Sequence, residues 1–314
     1  MKTFLHQPVT LLALGALAGA AAPAARADDV APNAGMRSIS AAAQGDALSN
    51  RTLQTTLTLP LAERAWFSVG GGQNRSEQDA VARRPKVFSG ALGYIGTGWR
   101  AALGATHRAD GPAYRQTDWV GSVDWQGDRF DVGLDGMVRD GRQQATVSAP
   151  DGQGGTTRVP VTQTVKGGGL GLRAGVNLGD DTRLYAGYAR YHYQVATQQS
   201  GASSGSSGPI GGLLGNRTLL ARALSAPASA VNRDEAALSS SVQLGATYRF
   251  DRVALTAEYT GDQVQDAPGT AHSTLLKAAI ALGPHWTVAP AVGRTRSEAY
   301  GGVNFAALSA SYAW

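Results

Sequence analysis

Cysteine is absent from this chain, which removes disulfides and thiolate-bound metals from consideration even in an oxidising compartment. Histidine is scarce. Past the first few residues it occurs only at His107, His192, His272 and His285, and none of these stands at metal-ligand spacing from another histidine or a carboxylate. An acyl-transfer site would need serine, histidine and an acidic or amide partner on one face, and no local motif sets a serine beside His107 or His272. The run Gly167-Gly168-Gly169 lacks the strand-to-helix setting and the Gly-Lys-Ser/Thr of a phosphate loop. No enzyme, cofactor or metal site is therefore expected.

Long apolar runs are missing as well. The stretch from Val9 to Ala22 falls short of the roughly 20 residues of a transmembrane helix, and nothing later offers one. Its setting reads instead as a secretory leader, with Met1-Lys2 before it, Ala25-Arg26-Ala27 after it and Asp28-Asp29 beyond. Cleavage is expected after Ala27, leaving 28–314 as one domain. Loss of Lys2 and Arg26 with the leader lowers the formal charge from +5 to +3, too small an excess to argue for a nucleic-acid partner.

What the chain does have is glycine, 41 residues of it, with 43% hydrophobic residues and a mean hydropathy of only -0.17. It also has two-residue alternation. Leu53, Thr55, Leu57 and Leu59 alternate with Gln54, Thr56 and Thr58 up to Pro60, a residue suited to a strand end. A weaker alternation around Met36 to Ser40 suggests a first strand near 35–44. The same unit then recurs: an alternating segment, a very short turn, a second alternating segment and a longer polar connection. The short turns fall at Ala62-Glu63-Arg64, Gly96-Thr97-Gly98, Gln126-Gly127-Asp128, Gly179-Asp180-Asp181, Asp251-Arg252 and Gly283-Pro284, each a hairpin signal.

Aromatic residues collect beside those turns, at Phe67, Tyr94, Trp99, Trp125, Phe130, Tyr185, Tyr248, Phe250, Trp286 and Trp314. That distribution is what an interfacial girdle requires. The other connections, at 73–86, 139–161, 197–234 and 262–272, are longer and polar. In the last segment Trp314, Tyr312, Ala310, Leu308 and Ala306 share one face, and Ala313, Ser311, Ser309 and Ala307 the other.

The closing Tyr312-Ala313-Trp314 resembles the C-terminal signature of Gram-negative outer-membrane β-barrels of the porin-like kind. The resemblance implies that Tyr312 and Trp314 form the signal read by the barrel-assembly machinery, and that the last strand pairs with the first. It implies a transmembrane antiparallel up-and-down barrel in the cell outer membrane, contacting its lipid. Short turns would lie on the periplasmic rim and long loops outside. The alternating segments count to about 14 strands, with 12 as the alternative, since single-chain barrels of this kind have even numbers.

Residues between lipid-facing neighbours must point inward, which places Arg100, Asp124, Asp131, Asp135, Arg173, Arg190, Arg249, Glu258 and Lys277 in the lumen. Each could be a solvated or paired wall charge, or part of a field that selects ions. Fourteen strands about 4.8 Å apart and tilted about 40° give a backbone diameter of about 28 Å and a bore of roughly 10–15 Å. Small inward residues, Gly169, Gly171, Gly175, Ser241, Gly245, Ala279, Ala281, Ser309 and Ser311, favour an open bore. The connection from Thr197 to Asp234, with its Gly/Ser tract, the apolar patch Ile210 to Leu214 and a short helical pattern at Thr218 to Leu224, reads either as a plug or as an outer loop. The expected function is passage of small hydrophilic solutes or service as an export pore; a structural or adhesive barrel that binds a surface ligand is the alternative.

Overall fold

The computed structural model describes residues 37–47, 49–75, 84–150, 156–199, 238–264, 270–297 and 301–314. The expected leader, and most of the 197–234 connection with its helical pattern, lie outside the described residues. Fourteen strands follow one another: β1 Ser38–Asp46, β2 Arg51–Ala62, β3 Ala65–Arg75, β4 Lys86–Ile95, β5 Trp99–Asp110, β6 Tyr114–Gln126, β7 Phe130–Pro150, β8 Thr156–Asn177, β9 Thr182–Gln199, β10 Leu238–Phe250, β11 Val253–Val264, β12 Thr270–Ala281, β13 Trp286–Ser297 and β14 Gly301–Ala313.

Each strand pairs antiparallel with its neighbours in sequence, and β1 pairs with β14 from Ser38 opposite Ala313 to Asp46 opposite Phe305. The sheet therefore closes and has no edge, which is the condition for putting strands into hydrocarbon. The join continues to the last residue. Trp314 N donates to Arg37 O at 3.0 Å and Arg37 N donates back to Trp314 O at 3.3 Å.

The alternation sorts the side chains into two populations. Leu134, Leu170 and Leu282 are 61%, 76% and 61% exposed, and Leu92, Leu103, Trp119, Val138 and Val292 also stand on the outer surface. In water each such residue would forgo about 1.5–3 kcal/mol of burial, so a whole band of them calls for an apolar solvent. The girdle of Phe67, Tyr94, Trp99, Trp125, Phe130, Tyr248, Phe250, Trp286 and Trp314 sits at the short-turn end of this band on the outward register. Trp286 and Tyr312 rings lie 4.9 Å apart, and Tyr312 and Trp314 stack at 5.8 Å. Tyr185 departs from the expected girdle: it points inward, with its hydroxyl on Glu258.

The six short turns all fall on one rim, and four of them hold a left-handed residue that suits a tight hairpin: Gly98 (φ 75), Gly179 (φ 109), Asp251 (φ 49) and Gly283 (φ 113). The opposite rim differs from expectation. The stretch 139–161 is not a loop: β7 and β8 run 21 and 22 residues and pair as far as Pro150 opposite Thr156. Three connections there are also short, at 47–50, 111–113 and 298–300. Past the apolar band a strand can carry polar residues on both faces, as with Gln143 inside and Arg142 and Gln144 outside, so alternation of polarity vanishes and an extended hairpin looks like a polar loop.

Pairing slips between Pro60 and Ala62 on β2 and between Leu238 and Ser240 on β10, and the β12–β13 ladder is interrupted around Pro290, which has no N–H to give, between Lys277 opposite Ala291 and Ile280 opposite Val288.

Candidate functional site

The lumen wall of β5–β9 carries a ladder of ion pairs. Arg173 on β8 reaches two neighbouring strands at once: Nε donates to Asp135 on β7 at 2.6 Å, and a terminal nitrogen to Asp124 on β6 at 2.8 Å. Arg100 on β5 donates to the other oxygen of Asp124 at 3.2 Å. Toward the short turns, Arg183 on β9 holds Asp131 at 2.8 Å. Toward the opposite rim, Asp118 accepts from both Arg108 and Arg139, each at 2.7 Å, and from Gln116 at 2.9 Å. These last three charged side chains are 1–4% exposed, and truncation of one partner of such a buried set strands the others.

Glycine makes the ladder sterically possible. A Cβ on Gly133, opposite Arg173, would collide with the Asp124 carboxylate and crowd the Arg173 guanidinium, and one on Gly175 would strike Asp131 and Arg183. The expectation that Gly175 is open bore is corrected: it is floor space for an ion pair.

Most of the expected lumen charges point inward. Besides the ladder members, Glu258 on β11 accepts from Tyr185 at 2.9 Å and from Thr260 at 3.3 Å. Lys277 shares the inner face with Thr256, and Arg249 is on the inner register at the exposed short-turn rim. Arg190 is the correction. It pairs opposite Leu170, whose side chain is outside, and is itself exposed on the outer face. Tyr191 and Tyr193, which have the opposite parity on β9, are the residues that point inward and are buried, at 8% and 2% exposure.

Arg108, Asp118, Arg139 and Arg183 are lumen charges that sequence reasoning missed. Arg108 and Asp118 do alternate with His107 and Thr117, but those outward residues are polar and give no lipid signal. A better signal was glycine opposite an aromatic. Gly167 pairs with Tyr193 and Gly169 with Tyr191; a Cβ on Gly169 would penetrate the Tyr191 ring, and one on Gly167 would strike the His192 carbonyl and the edge of Tyr193. The rings lie flat on the wall where the partner strand lacks a side chain, the arrangement by which aromatics shield strand glycines. Gly245 is covered by Tyr185 in the same way, so neither it nor Gly169 is free bore. Tyr191 and Tyr193 stack at 6.2 Å, join Met137, Ala189 and Leu238 in an apolar cluster, and place Tyr193 under the Arg139 guanidinium at 5.6 Å.

Across the lumen, β12, β13, β14, β1 and β2 present mostly small residues inward, such as Ala279, Ala291, Ser309, Ser40 and Thr56, with Lys277 and Phe305 among the larger exceptions. The inner surface thus has a charged wall and a small-residue wall. A separate recess of about 670 Å³ lies on the outer side, over Gly121 opposite Gly136 and between Leu103, Val123, Leu134 and Leu170; it is a dent in the apolar band, distant in character from the ion pairs.

No family model and no curated protein matches the chain. Solved structures do. The CymD monoaromatic hydrocarbon channel aligns with a TM-score of 0.54 at 11% identity, covering 90% of this chain and 88% of that one. A FadL homologue of Pseudomonas aeruginosa gives 0.53 at 10% identity over 88% and 89%. The Pseudomonas putida toluene transporter TodX gives 0.51 at 10% identity over 90% of each. At such identities the likeness speaks to the fold, and together with the closed sheet and its apolar outer band it makes this chain a multi-pass transmembrane barrel of the outer-membrane type.

Proposed function

We propose that the protein is an outer-membrane channel through which small hydrophilic solutes pass, on their own or as the exit of an export route. Delivery would use the leader ending at Ala27, and assembly would use Tyr312 and Trp314 as the segment recognised by the barrel-assembly machinery. The observation that carries the reading is the unequal interior. Charged side chains are tied down in pairs along β5–β9, and the facing strands offer alanine, serine and threonine. Paired charges line a wet passage without projecting into it, and charge at membrane depth is tolerable where it meets water or a partner.

Purified protein in planar bilayers should give stable, unitary current steps. Silence from a barrel that still shows heat-modifiable migration would favour the structural or adhesive alternative.

One feature favours a second reading, a channel for solutes with an apolar body. The cluster of Met137, Tyr191, Tyr193 and Leu238 sits inside the lumen beside Arg139. Two of the structures this chain resembles in fold, CymD and TodX, are a monoaromatic hydrocarbon channel and a toluene transporter. Proteoliposome uptake of glycerol against toluene separates the readings, the first predicting that glycerol enters and toluene gains nothing from the protein.

A further inference from the structure

The outer face changes chemistry at the end of the apolar band away from the short turns. On β2 and β3, Arg51 stands directly opposite Arg75; on β6 and β7, Arg115 stands opposite Arg142; on β12 and β13, His272 stands opposite Arg296. All six lie on the outward register, and Arg51, Arg115, Arg142 and Arg296 are exposed. Directly opposed residues hold their Cβ atoms about 4.5–5.5 Å apart, so like charges there are destabilising unless something sits between them. Arg190, exposed on the outer face opposite Leu170, adds a further outward cation at the edge of the band. Asp140 is the one acidic residue on the outward register of the strands among the described residues, and it stands opposite Lys166 at 3.9 Å.

Two directly opposed arginine pairs at two places around the barrel, with Arg190 and Arg296 also outward and a single acid on the outward register of the described strands, form a surface built for anions. Its height selects the occupant. Arg51 follows Leu53 directly on the outward register, while Thr117 separates Arg115 from Trp119 and Thr274 separates His272 from Leu276, so these residues stand one or two outward positions past the apolar band, where a bilayer holding that band would place its headgroups. Paired guanidinium groups offer parallel N–H donors that fit the oxygens of a phosphate bidentately. We propose that this collar binds the phosphorylated headgroups of lipids in the leaflet on the β7–β8 hairpin side, with each pair bridged by phosphate. The inference rests on the apolar band being embedded in lipid.

The test uses the full barrel refolded into phosphatidylcholine vesicles with or without phosphatidic acid. Lipid retained through purification is counted by native mass spectrometry. The parent should retain phosphatidic acid selectively and unfold at a higher temperature in its presence. The double variant Arg115→Gln/Arg142→Gln should retain it about tenfold less, since each cation near an anionic surface strengthens attachment several-fold. Arg252→Gln, on the short-turn rim, should behave as the parent. Inorganic phosphate added to neutral vesicles should not raise the unfolding temperature; if it does so as fully as the lipid, a soluble-anion site replaces the headgroup site. Equal retention of both lipids by the parent, or parent-like selectivity in the double variant, overturns the proposal. Should the double variant fail to refold, Arg142→Gln alone and a salt titration of the parent decide it, with salt-insensitive retention counting against. Failure of the parent to insert even into neutral vesicles would instead remove the transmembrane reading itself.

Discussion

Inside the barrel an arginine meets an aspartate; outside, at the collar, an arginine meets an arginine. Arg173 bridges Asp124 and Asp135 across three strands, while Arg115 on the outer surface of β6 looks across at Arg142. The same strands carry both arrangements, so the difference is not one of composition or propensity. It reflects the medium each face meets. The lumen wall ties its charges to partners of opposite sign on neighbouring strands, and an outer surface near headgroups can leave like charges together when an external anion completes them.

Removing the shared acid of the inner ladder should have the largest effect. Asp118→Asn leaves Arg108 and Arg139 side by side and buried, at a cost of about 3–5 kcal/mol in urea unfolding of the refolded barrel. Next comes charge placed on the wrong face. Leu172→Arg puts a cation in the apolar band and should lower stability by roughly 2–4 kcal/mol, or abolish the folded band on heat-modifiable migration. Gly133→Leu should cost about 1–3 kcal/mol, because its side chain occupies the space through which Arg173 reaches Asp124. The smallest change is expected at the collar: Arg142→Gln in neutral detergent should shift stability by no more than about 0.5 kcal/mol, in contrast to every inner variant.

The fold was legible because lipid outside and water inside impose a period of two, and β14, β2 and β11 show it cleanly. The outer face of β14, from Ala306 to Trp314, stands as read, and closure onto β1 follows the register it implies. The failures have definite causes. On β9, tyrosines occur on both parities, with Tyr188 outside and Tyr185, Tyr191 and Tyr193 inside, so aromatic character alone could not orient Arg190. An aromatic over a strand glycine is as well placed in a lumen as in lipid. The outer ends of β7 and β8 carry polar residues on both faces, with Gln143 and Gln163 inside and Arg142 and Gln144 outside, which erases alternation of polarity and made 139–161 look like a loop.

The ion-pair ladder was legible only as a set of inward positions. Which acid each arginine chooses depends on register between strands distant in sequence: Arg173 finds Asp124 49 residues away, and Arg183 finds Asp131 52 residues away. Nothing local encodes that choice. Its trace in the sequence is indirect, in the glycines at 133 and 175 that clear the crossing.

The division between faces is tested most directly by reversal potentials under a salt gradient, measured on single channels of Arg173→Gln and Arg190→Gln. These two arginines differ in face rather than in chemistry. Removing Arg173 leaves Asp124 and Asp135 on the lumen wall and should shift permeability toward cations, whereas removing Arg190 from the outer surface should leave the reversal potential at the parent value. An equal shift in both variants, or a shift confined to Arg190→Gln, would contradict the assignment of the β5–β9 ladder to the conducting surface.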